Sequence, residues 1–124
     1  MATILVVDDD RAVRKVIREF LERDGHQVVE ATDGAEAIEA YSADKIDLMV
    51  LDLLMPNRDG FEALIDVRHR HPQARVVVIS GGGQLGADLY LKMASQFGAT
   101  EVLAKPIERD ALLAKVHELL SQEG

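Results

Sequence analysis

Three short runs of consecutive apolar, largely β-branched residues punctuate the chain: Ile4–Val7, Leu48–Leu51 and Val76–Ile79. A strand with one wet face alternates apolar and polar residues, whereas a strand covered on both faces does not. These runs therefore predict parallel strands buried on both sides. Two weaker runs, Val28–Ala31 and Glu101–Ala104, complete a set of five. Helical spacing fills the intervals. Val13, Val16, Ile17, Phe20 and Leu21 recur as one apolar stripe, and Gly25 is placed to end that helix. Asp33 followed by Glu36 has the form of a capping box that opens a second helix through Ile38 and Tyr41. Phe61, Leu64, Ile65 and Arg68 predict a third helix, ended before Pro72. Tyr90, Met93, Ala94 and Phe97 predict a fourth, stopped at Gly98, and Leu112, Val116, Leu119 and Leu120 predict the last.

The alternation is βα repeated five times, which predicts a three-layer α/β/α domain over residues 1–124, with a parallel sheet and right-handed crossovers. No Pro-, Gly- or Ser-rich linker divides it. Apolar residues make up 48% of the chain, enough for a core, but aromatics only 4%, so aliphatic side chains must fill it. The formal charge of −8 repels a phosphate backbone and argues against direct nucleic-acid binding. The sequence has no Cys, hence neither disulfides nor a thiolate metal site. With no basic leader and no apolar run long enough to span a bilayer, the expected setting is cytoplasmic, away from membranes.

In open sheets of this kind the site lies beyond the carboxyl ends of the strands. Strand one ends in Asp8 and Asp9, strand three in Asp52, strand four in Ser80, and strand five in Lys105 followed by Pro106. Singly, each has an ordinary explanation. Asp8, Asp9 or Asp10 serves as a helix cap, Ser80 as a turn residue, and Lys105 as a solvated lysine. Asp52 is harder to explain, because it sits inside Val50-Leu51-Asp52-Leu53-Leu54-Met55, where an ionised carboxylate is costly without partners. Two carboxylates ~4 Å apart repel by roughly 4 kcal/mol at an effective dielectric of ~20. Lys105 offsets one charge, and a hard divalent cation such as Mg²⁺ suits the rest. An aspartate beside such an ion can act as a nucleophile toward phosphorus, with an ammonium and a hydroxyl holding the phosphoryl oxygens.

These segments jointly resemble the response-regulator receiver family, chemotaxis regulators included. They are Val6-Val7-Asp8-Asp9-Asp10, the stretch from Val50 through Met55-Pro56 to Asp59-Gly60, Val78-Ile79-Ser80-Gly81, and Ala104-Lys105-Pro106. The resemblance implies a (βα)5 flavodoxin-like fold with strand order 2-1-3-4-5. It also implies a phosphoacceptor at Asp52, and Mg²⁺ held by Asp8, Asp9, Asp52 and the backbone carbonyl of Leu54. Ser80 and Lys105 would face the phosphoryl group, with a cis bond before Pro106. The implied partners are a sensor histidine kinase or histidine phosphotransfer protein as donor and a downstream protein as target. The chain would be a signalling switch, catalysing only its own phosphorylation and dephosphorylation, and a monomer or a weak phosphorylation-dependent dimer. It would either stand alone or be a receiver cut from a longer regulator. One departure concerns the switch. Relatives usually carry Tyr or Phe three residues before the lysine, and here that residue is Val102.

A rival from another class is a nucleotide-binding α/β module. Gly81-Gly82-Gly83-Gln84-Leu85-Gly86 fits G-x-G-x-x-G, with Glu101 twenty residues beyond Gly81. Against it, Glu101 would open strand five, whereas a ribose-binding acid follows its strand. Another rival is an unphosphorylated interaction module, a degenerate receiver, and retention of all five site residues argues against it. An Asp-nucleophile phosphatase would need an acid where Leu54 stands.

Overall fold

The computed structural model of the chain describes residues 2–43, 45–53, 59–80, 92, 96 and 98–121. Strands β1 (Thr3–Val7), β2 (Gln27–Ala31), β3 (Leu48–Asp52), β4 (Val76–Ser80) and β5 (Glu101–Ala104) form one parallel sheet, in the order β2-β1-β3-β4-β5. Helices α1 (Arg11–Arg23), α2 (Gly34–Ala43), α3 (Asp59–Arg70) and α4 (Arg109–Ser121) flank it. This is the (βα)5 flavodoxin-like arrangement that the resemblance implies. Tyr90, Met93, Ala94 and Phe97, the stripe of the predicted fourth helix, lie outside the described residues, as does the Gly81–Gly86 loop. Lys92 and Gln96 within that stretch are helical and exposed.

The layers follow from the two-residue period of a strand. Leu5, Val7, Met49, Leu51, Val76 and Val78 point to one face, where Ala37 of α2 and Ala63, Leu64 and Val67 of α3 cover them. Ile4, Val6, Leu48, Val50, Val77 and Ile79 point to the other, beneath Ile17 and Leu21 of α1 and Leu112, Val116 and Leu119 of α4. Every residue of β3 and β4 is buried, which explains their unbroken apolar runs. The edge strands β2 and β5 are only partly covered, and their runs are correspondingly mixed.

Local chemistry sets the helix ends. The Asp10 carboxylate accepts from the N–H groups of Ala12 (2.9 Å) and Val13 (3.4 Å) and so caps α1. Gly25, at φ 93°, takes the left-handed conformation that closes it. The box at α2 is shifted by one residue from the expected form. Asp33 accepts from Glu36 N–H at 2.8 Å, but the Glu36 carboxylate reaches back to Thr32, accepting from its N–H and its hydroxyl. Two stripe residues are corrected. Val16 and Ile65 are 44% and 46% exposed. Burial on α1 centres between Ile17 and Leu21, leaving Val16 at the far margin. On α3, Ala63, Leu64 and Val67 face the sheet, so Ile65, about 100° beyond Leu64, turns outward. Arg68 donates to the carbonyls of Gly98 (2.7 and 3.1 Å) and Pro72 (2.6 Å), joining α3 to the approach to β5.

Candidate functional site

Strand register gathers the expected side chains. Val7 is level with Leu51, Asp52 with Ile79, and Ser80 with Ala104. The residues that follow continue the ladder. Asp8 N–H donates to Ala31 O (3.2 Å), Leu53 N–H to Ile79 O (3.1 Å), and Lys105 N–H to Ser80 O (2.9 Å). Asp8 and Asp52 therefore stand side by side at the carboxyl edge, and alternation puts both, with Lys105, on the side of the sheet covered by α1 and α4.

The carboxylates of Asp8, Asp9 and Asp52 lie within 4.8 Å of one another. Asp8 and Asp52 are buried, at 0% and 2% exposure, while Asp9 is exposed. The Lys105 ammonium reaches Asp8 Oδ2 at 3.4 Å and Asp52 Oδ2 at 3.5 Å, so one cation spans two buried acids. The second oxygen of Asp8 accepts from Asp10 N–H at 2.8 Å. Burial pushes the Asp8 carboxyl up to about 6; the Asp10 bond and Lys105 oppose the shift and Asp52 adds to it. Because Asp10 supplies the cap of α1, Asp8 and Asp9 are left to the cluster. The donor set fits Mg²⁺: hard carboxylate oxygens whose charge a single ammonium does not balance.

Ser80 is fully buried at the end of β4. The Lys105–Pro106 bond is cis, as the resemblance implies. Leu54 lies outside the described residues. Two contributors escape a sequence reading. Arg14 donates from Nη1 to Asp8 O at 2.8 Å and pairs through Nε with Glu30 at 2.9 Å, tying the backbone under the acids to β2. Its place on the polar face of α1 gives no sign of this. Gly60 packs so closely on the Asp52–Leu53 backbone that a Cβ there would lie 2.6 Å from Asp52 O. Its small size is required by that approach, and the Asp-Gly pair in the motif is the only signal for it. The nucleotide reading weakens further, since Glu101 opens β5 and pairs with Lys115 at 2.8 Å.

The family model for the response regulator receiver domain matches residues 4–117. The chain belongs to that family. The receiver is 35% identical over 119 residues to the chemotaxis protein CheY of Bacillus subtilis, covering 95% of this chain and 97% of that one. It is 34% identical over 120 residues to the transcriptional regulatory protein CpxR of Escherichia coli, covering 97% of this chain but 50% of the relative. Among solved structures, the receiver domain of NtrX from Brucella abortus superposes with a TM-score of 0.89 at 30% identity, covering 97% of this chain and 99% of that one. Response regulator TrrA from Thermotoga maritima, in complex with Mg²⁺ and BeF, superposes with a TM-score of 0.83 at 30% identity, covering 96% and 99%. The acid cluster and the Lys105 pairs match the aspartate-phosphorylation and Mg²⁺ site architecture of receivers, which act as switches and not as turnover enzymes. In this receiver Val102 is level with Val78 and packs against the cluster beneath α2 and α3, so no aromatic ring occupies the usual switch position. No described helix is long and apolar enough to cross a membrane.

Proposed function

We propose that residues 1–124 act as one receiver domain whose Asp52 takes a phosphoryl group from a phosphohistidine on a sensor kinase or phosphotransfer protein. The observation that carries this reading is the buried Asp52 carboxylate, level with Asp8 and bridged to it by Lys105. An Asp52 oxygen attacks phosphorus, the phosphorus–nitrogen bond breaks, and the imidazole leaves, so that an acyl phosphate forms on Asp52. Lys105 and the Ser80 hydroxyl hold the phosphoryl oxygens as charge shifts onto them. Asp8, Asp9, Asp52 and the Leu54 carbonyl would hold Mg²⁺, which supplies Lewis-acid neutralisation when bound. Ser80 moves toward the phosphoryl group, and the change is passed to a downstream protein. With Val102 in place of a ring, that signal leaves through the segment after Ser80, because a short side chain stiff at χ1 cannot sweep between two positions.

Phosphorylation by acetyl phosphate, followed by intact mass, tests the reading. The account expects a gain of one phosphoryl group with Mg²⁺ and almost none with chelator, and Asp9→Ala should lose most Mg²⁺ binding. A rate unchanged by chelator would overturn the metal assignment.

A further inference from the structure

A second cluster of ligating side chains lies at the opposite, amino edge of the sheet. Asp24 caps the C-terminus of α1, His26 stands just before β2, and His117 comes from the second half of α4. Gly25, at φ 93°, turns the chain so that Asp24 and His26 face each other across one residue. Asp24 Oδ2 lies 3.2 Å from His26 Nε2 and 2.5 Å from His117 Nε2. All three ligand atoms fall within 4.8 Å of one another. The imidazole rings are 6.4 Å apart and inclined at 59°, so they converge on the carboxylate from two directions.

We propose that Asp24, His26 and His117 form a binding site for a borderline transition-metal dication, with Zn²⁺ the representative ion. Two imidazole nitrogens and one carboxylate oxygen are a donor set that zinc uses and Mg²⁺ does not favour. Zinc–nitrogen bonds of about 2.0–2.1 Å place tetrahedral ligand atoms roughly 3.3 Å apart, close to the His26–Asp24 spacing already present. The side chains of His26, Asp24 and His117 are 9%, 25% and 59% exposed, which gives the site a firm base and an open side for entry and a water ligand. A net charge of −8 favours capture of a cation.

One feature opposes binding. His26 Nδ1 accepts from Ala2 N–H at 3.3 Å, which sets the ring proton on Nε2, the atom a metal needs. Coordination shifts that proton to Nδ1 and gives up the Ala2 bond. An unpaired buried donor weakens the site by a factor of about 5 to 150, a cost that the metal–ligand bonds must offset.

Calorimetric titration of the metal-free chain with Zn²⁺, in buffer holding millimolar Mg²⁺ to occupy the carboxyl-edge acids, tests the proposal. One equivalent should bind at micromolar affinity. His117→Ala, which removes a largely exposed side chain and should leave the far-UV circular dichroism unchanged, should weaken binding at least tenfold, as should Asp24→Asn. Asp9→Ala should leave it unchanged. Co²⁺ in place of Zn²⁺ should give the visible absorption of a low-coordinate ion, lost in His117→Ala. Affinity no tighter than millimolar, affinity unaffected by His117→Ala, or affinity lost in Asp9→Ala would each overturn the site.

Discussion

The two edges of the sheet carry clusters of similar size and opposite character. At the carboxyl edge, Asp8 and Asp52 are buried oxygen donors spanned by one ammonium. At the amino edge, Asp24 is partly exposed and already accepts two imidazole hydrogen bonds. Those imidazoles, His117 above all, hold the Asp24 carboxyl below its ordinary value, whereas burial holds that of Asp8 well above it. A carboxylate kept charged by satisfied partners is at rest. One kept charged against burial retains a demand for positive charge, and that demand suits it to an incoming metal and phosphoryl group. The difference comes from the sheet. Strands β1 and β3 lie at its centre and bury their last residues, while β2 begins at its edge beside solvent.

Perturbations should therefore act strongly at the carboxyl edge and weakly at the amino edge. The largest effect is expected for Lys105→Met. Phosphorylation by acetyl phosphate should slow by ~100-fold, the scale of losing one preorganised charge partner. Mg²⁺ affinity should instead rise by roughly thirtyfold, since removing a competing unit charge about 4 Å from a dication is worth ~2 kcal/mol even in a water-like dielectric. Stopped-flow rates and a Mg²⁺ titration read both signs, and weaker metal binding in the variant would break the comparison. Gly60→Ala should come next. Its Cβ meets the Asp52–Leu53 backbone at 2.6 Å, so urea unfolding should show a loss of about 2–3 kcal/mol.

Asp8→Asn sharpens the electrostatic half. The folded-state pKa of Asp8 is about 6 against an ordinary 3.8, so the folded chain keeps a proton that the unfolded chain has released. Ionising Asp8 lowers stability as pH rises through that window, and the cost is complete above pH 6. Without Mg²⁺, Asp8→Asn should be more stable than wild type at pH 7 by on the order of 2 kcal/mol, with the advantage gone at the acidic end of the window. A variant less stable at pH 7 would contradict the burial argument. The smallest effect belongs to the other edge. In the absence of transition metals, His117→Ala should change stability by no more than about 1 kcal/mol, because its pairing with Asp24 is exposed.

Much of the fold was legible in the sequence because the central strands are buried on both faces. Ile4–Val7, Leu48–Leu51 and Val76–Ile79 had no room for a polar residue until the strand ended, and the first polar residues after them are Asp8, Asp52 and Ser80. Edge strands were fainter for the opposite reason, since Glu30 and Glu101 sit within β2 and β5 where solvent allows them. Val16 and Ile65 misled because helical spacing defines a stripe but not the width that a sheet will cover. Arg14 was not legible at all, because its bonds to Asp8 O and Glu30 depend on neighbouring strands and spacing along the chain carries no record of them. The box at α2 was legible to within one residue, since Glu36 N–H bonds Asp33 as expected while its carboxylate reaches Thr32 instead.

The central claim is that Asp52 receives the phosphoryl group. Intact-mass measurement of wild type and Asp52→Asn after incubation with acetyl phosphate and Mg²⁺ tests it most directly. The account predicts a gain of one phosphoryl group in wild type and none in the variant. An equal gain in both would contradict it.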